Sequence, residues 1–112
     1  MSAIDRFRTY LQTNPGDRFA LYSLALALVK AERPDEALPV FTELLEHHPE
    51  SGAGHLQLGL LHHKAKRWDQ AQTAWEAGLA ALRGVNSPEA RKARVEIQGA
   101  LDDLEDLLDD LD

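Results

Sequence analysis

Five histidines, His47, His48, His55, His62 and His63, are the side chains of this sequence best suited to chemistry, because imidazole ligates metals and titrates near neutral pH. Their spacing argues against a shared ion. His55 and His62 are seven apart and share a helical face, yet about 10.5 Å of helix rise separates them. There is no cysteine, and no inward acid completes a tetrahedral ligand set. The His-Glu-x-x-His pattern of metalloproteases is absent, as are a glycine-rich phosphate loop, a Gly-x-Ser-x-Gly turn and any carboxylate pair that spacing would place in a cleft. Glu36, Glu43 and Glu46 read as a solvated face. His47 and His48 are expected to lie exposed near a helix end, with His55 and His62 filling core places. The chain is therefore expected to be no enzyme and to hold no metal or cofactor.

The elements that carry these residues repeat. Sliding the sequence along itself by 34 positions aligns Leu24 with Leu58, Leu26 with Leu60, Lys30 with Lys64, Ala31 with Ala65, Arg33 with Arg67, Asp35 with Asp69, Ala37 with Ala71 and Leu45 with Leu79, while Phe41 is answered by Trp75. Ala3, Phe7, Leu11 and Pro15 precede Ala37, Phe41, Leu45 and Pro49 by the same interval, so the chain opens on half a repeat. Spacings of three and four put Ala3, Phe7, Tyr10 and Leu11 on one helical face. Asp17 is an N-cap for a helix from Arg18 to about Ala31, apolar on nearly every side and so expected to be buried on several faces. Its partner runs from Asp35 to His47, with Ala37, Leu38, Phe41, Leu44 and Leu45 inward. Pro39 should loosen or kink that helix, because it forfeits the bond to the Asp35 carbonyl. A second hairpin follows, Ala53 to Ala65 and Trp68 to Leu82, in which Gly78 stands at the place of Leu44 and permits close approach. Ser87-Pro88-Glu89 starts a long last helix to about Leu111.

The 112 residues suit one domain, able to bury roughly two thirds of the surface of the unfolded chain. The formal charge of −7 is local: with the seven acids after Leu101 set aside, twelve acids balance twelve lysines and arginines. Nucleic-acid binding, which requires a basic stripe, is not expected. The longest mostly apolar run, Phe19 to Val29, is too short for a membrane span, and no secretory signal is recognisable, so a cytoplasmic protein is the expectation.

With this period, the residues resemble the tetratricopeptide repeat family, whose consensus sets Trp, Leu, Gly and Tyr along a first helix, then Ala, Phe, Ala and a closing Pro on the second. Here those places read Leu21, Leu24, Ala25, Leu28, Ala37, Phe41, Leu44 and Pro49, and then His55, Leu58, Gly59, His62, Ala71, Trp75, Gly78 and Arg83. Both first-helix aromatics and the second closing proline are replaced. The resemblance implies an all-α, right-handed helical-hairpin solenoid in a single domain over 1–112: a half repeat at 3–14, full repeats at 18–49 and 52–83, and a capping helix at 87–111. It further implies a concave wall made by Phe19, Tyr22, Leu26 and Val29 on the first hairpin and by Leu56, Leu60, His63 and Lys64 on the second, with Arg91 and Arg94 at the far rim. The family's carboxylate clamp needs Lys and Asn, and Tyr22, Leu26 and Gln57 stand at three of its places. An apolar or amphipathic peptide segment of a protein partner is thus the expected ligand. The alternative is a self-associating structural subunit, a homodimer through the same wall or through the C-terminal leucine seam of Ile97, Leu101, Leu104, Leu108 and Leu111. In that seam Ala90, Ile97, Leu104 and Leu111 are spaced by sevens, and the sequence favours it as a cap. A monomer or weak homodimer is the expected state.

Overall fold

A computed structural model describes residues 1–111 as six helices, with no strand among the described residues. They form two compact units, the first Met1–Pro49 and the second from Glu50 onward. No helix among the described residues is long and apolar enough to cross a membrane.

In the first unit α1 (Ala3–Thr13), α2 (Arg18–Lys30) and α3 (Pro34–His47) follow one another, and α2 packs against both neighbours. Side-chain oxygens satisfy free amide N–H groups at two helix starts: Ser2 Oγ accepts from the Asp5 amide at 3.1 Å, and Asp17 Oδ1 from that of Ala20 at 2.8 Å. The apolar girth of α2 buries Ala20, Leu21, Leu24, Ala25 and Leu28, while α3 buries Ala37, Phe41 and Leu44. α3 runs unbroken through the exposed Pro39, so the lost bond does not end the helix. α1 is the least covered of the three: none of its residues is buried, and Tyr10 is 48% exposed. A helical face covered by only one neighbour keeps its outer half in water. Glu36 ties α1 to the hairpin, accepting from Arg33 at 2.7 Å and from Arg8 at 3.0 Å. Those two guanidiniums, Arg33 foremost, hold its carboxyl down to about 2.

The second unit contains α4 (Gly52–Lys64), α5 (Trp68–Ala81) and α6 (Pro88–Leu111), with α6 packed on both α4 and α5. Ser51 Oγ caps α4 through the Gly54 amide, and Ser87 Oγ accepts from the Ala90 amide at the start of α6, each at 3.1 Å. Small residues set the spacing. A Cβ on Gly59 would overlap the Trp75 indole, one on Gly52 would overlap Ala93, and one on Gly78 would lie 2.7 Å from His55 Cβ. The core joins Trp75, Leu82, Ala93, Ile97 and Leu104, so Ile97, Leu101, Leu104 and Leu108 of the α6 seam pack on their own unit, while Leu111 stays exposed.

The repeat recurs in the backbone of both hairpin turns. After α2, the Arg33 amide donates to the Leu28 carbonyl and the Glu32 amide to that of Val29; 34 residues later Arg67 donates to His62 and Lys66 to His63, all at 2.9 Å. This paired closure is a Schellman motif. It requires a left-handed residue, and Glu32 (φ 59°) and Lys66 (φ 62°) take that role without being glycine.

Candidate functional site

The ten residues expected to line a wall fall on two units, and each set is described within its own. On α2, Phe19, Tyr22, Leu26 and Val29 recur at three and four along one stripe, opposite the buried Leu21, Leu24 and Leu28. Phe19 is 74% exposed, whereas Tyr22, Leu26 and Val29 are half-buried. An exposed phenylalanine on a helix otherwise so apolar is the most accessible aromatic surface of this stripe.

Phe19 also belongs to a cleft that sequence reasoning missed. The Phe7 ring meets it edge to face, with centroids 6.4 Å apart, and Tyr10 stands alongside. Together with Arg6, Asp17 and Ala20 they line a mainly apolar depression of about 350 Å³ between α1 and α2. Spacing put Phe7 and Tyr10 on one helical face without saying what that face meets. The signal available was an aromatic pair at i and i+3 followed by a third aromatic in the first turn of the next helix.

On α4 the four expected residues part company. Leu60 is 41% exposed and Lys64 is exposed. Leu56 packs against the core of its unit, and its carbonyl accepts the Trp75 indole N–H at 3.1 Å. His63 is half-buried, edge-on to Trp68 at 5.1 Å and tilted toward Trp75 at 6.0 Å, so one side of its ring serves the α4–α5 packing. On α6, Arg91 is exposed and donates to Asn86 Oδ1 at 2.8 Å. Arg94 is not an open rim: its Nη1 donates to the Leu82 and Val85 carbonyls, both at 2.7 Å, across the end of α5. α5 has no basic residue in its last turn, and the Arg94 guanidinium supplies the positive charge that its C-terminal dipole favours.

The histidines play packing and hydrogen-bonding roles. His55 is buried beside Gly78. His62 Nδ1 accepts from Arg67 Nε at 3.0 Å, and burial, with the Arg67 charge, pushes the ring below its usual range. His47 lies exposed against Gly16 as expected, but His48 is half-buried and its Nε2–H donates to the Gly16 carbonyl at 2.7 Å. A histidine following a helix reaches back to the turn between the preceding two helices, which spacing along one helix does not reveal. Among the described residues no three His, Asp or Glu side chains come close enough to hold one metal ion.

A family model described as tetratricopeptide repeat matches residues 22–83. A crystal structure of a tetratricopeptide repeat domain protein from Salinibacter ruber is similar at a TM-score of 0.71 and 30% identity, over 81% of this chain and 98% of that one. A solution NMR structure of a tetratricopeptide repeat domain protein from the same organism gives 0.74 and 30%, over 83% and 91%. A comparison with curated proteins gives no match.

Proposed function

Because the chain belongs to the tetratricopeptide repeat family, whose domains generally bind protein partners, we propose that it is a non-enzymatic interaction module taking an apolar or amphipathic peptide segment against exposed apolar residues, foremost those of α2. The observation that carries this reading is Phe19, 74% exposed at the head of a stripe continued by Tyr22, Leu26 and Val29. A large exposed aromatic surrounded by half-buried apolar residues is the kind of anchor on which interface energy concentrates. Within the second unit, Leu60 is an exposed apolar residue of α4, and Lys64 and Arg91 are exposed cations of that same unit. Leu56 and His63 act from behind by holding α4 against α5, and Arg94 by bonding the carbonyls at the end of α5.

Peptides selected from a random display library against the full chain test this reading. Selected peptides should carry spaced Leu, Phe or Trp residues and should bind the Phe19→Asp, Leu60→Glu double variant at least about tenfold more weakly, with helical circular dichroism unchanged. Equal affinity for the double variant overturns the reading. A homodimer is the second reading, favoured by Leu111, which is 63% exposed at the end of α6. Light scattering over a concentration series, on the wild type and the same variant, separates the two.

A further inference from the structure

The net charge of this protein has an address. Residues 1–101 are neutral overall, and six of the seven excess acids, Asp102, Asp103, Glu105, Asp106, Asp109 and Asp110, fall on the second half of α6. There the structure has a groove of about 500 Å³ between α5 and α6, sharing no residue with the proposed peptide faces of α2 and α4. Its apolar lining is Leu101, Leu104 and Leu108, the first and last half-buried against the core. Its exposed carboxylates are Glu76 on the α5 side and Asp102, Glu105 and Asp109 on the α6 side.

None of these four carboxylates makes an ion pair among the described residues; Asp102 and Glu76 accept amide protons from Gln98 at 3.0 Å and Gln72 at 3.4 Å. Asp109, in the last turn, also faces the negative end of the helix dipole, so the isolated fold gains nothing from its charge. The charges are strung along the groove and not gathered: no three acids or imidazoles among the described residues converge as a metal ion requires. Asp102, Glu105 and Asp109 recur at three and four, which is the spacing at which a second helix laid alongside presents its own side chains.

We propose that this groove docks a basic amphipathic helix of a partner protein. Its apolar residues lie on Leu101 and Leu108, and its Lys or Arg heads lie along Asp102, Glu105 and Asp109, with Glu76 opposite. Apolar contact holds the helix and charge selects it, since an acidic helix would meet four uncompensated carboxylates. The site is independent of the proposed peptide faces.

The probe is a synthetic Leu/Lys peptide with leucines at helical spacing, beside a scrambled peptide of the same composition, titrated into the full chain by calorimetry. The patterned peptide should bind, at least about tenfold more tightly than the scrambled one, and should weaken between roughly 0.05 M and 0.5 M salt. The variant Asp102→Asn, Glu105→Gln, Asp109→Asn should lose about tenfold in affinity with unchanged helical circular dichroism, whereas Phe19→Asp with Leu60→Glu should not. Absence of binding, equal binding of the scrambled peptide, or an unaffected acidic-stripe variant overturns the proposal. A wild-type dimer that dissociates in the acidic-stripe variant assigns the groove to a second copy and overturns it equally.

Discussion

Arg67 fixes the tautomer of His62. By donating Nε–H to Nδ1 it requires that nitrogen to be unprotonated, and protonation would turn the acceptor into a donor facing a cation. Burial acts in the same direction, and the folded ring titrates below its usual 6.5. The unfolded chain therefore binds a proton first as pH falls, so this contribution is fully present above 6.5 and declines below it. Thermal unfolding at about pH 7.5 and about pH 5.5 should show a loss that His62→Gln reduces. The sequence placed His62 in the second repeat but could not reveal this partner, since a side chain five positions on reaches it only through the turn. Arg94 was illegible for a related reason. Its acceptors are backbone carbonyls, which every residue possesses, so no residue type in the sequence marks them.

At the scale of elements, helix starts were legible where capping chemistry is local, as at Asp17 and Ser87, each one residue before a helix. Ser51, which caps α4 from Gly52 onward, lies in a stretch that read as connection, with the helix expected from Ala53. What covers a helical face was less legible, as Phe7 and Tyr10 show, because periodicity defines a face without naming its neighbour. The α4–α5 crossing rests on Gly59, whose missing Cβ leaves room for the Trp75 indole. Gly59→Ala should lower stability by about 1–3 kcal/mol despite the better helix propensity of alanine, measured as a reduced urea midpoint. The hairpin turns predict the opposite sign. Lys66 occupies a left-handed conformation that costs an L-residue roughly 1–2 kcal/mol, so Lys66→Gly should stabilise by about 0.5–1 kcal/mol after the added freedom of the unfolded chain is counted. An unchanged or lowered midpoint would remove this account of the turn.

For the whole molecule, the 34-residue period was the most legible feature, since it is written in paired identities and returns in the two Schellman closures. The acidic groove was not, because only the packing of α6 on α5 brings Glu76 into line with Asp102, Glu105 and Asp109. The same packing sorts two truncations. Removing residues 101–112 takes away Leu104, 2% exposed, with Leu101, Leu107 and Leu108 that pack around it, and should destabilise the fold by at least about 2–5 kcal/mol. Removing only 109–112 takes away exposed Asp109, Asp110 and Leu111 and relieves acids at the end of the α6 dipole, so it should be neutral or stabilising by about 0.3–1 kcal/mol. Denaturant midpoints of the two truncations decide the matter.

The Arg94 bridge also sets an order of events. The Leu82 carbonyl is made twelve residues before the side chain that closes it. On a ribosome, α4 and α5 can pair while the end of α5 still faces water, and the last turn is sealed only when α6 emerges and lies down. A nascent chain halted before Arg94 should therefore show a protease-sensitive α5 terminus, and one long enough to expose the first turns of α6 should not.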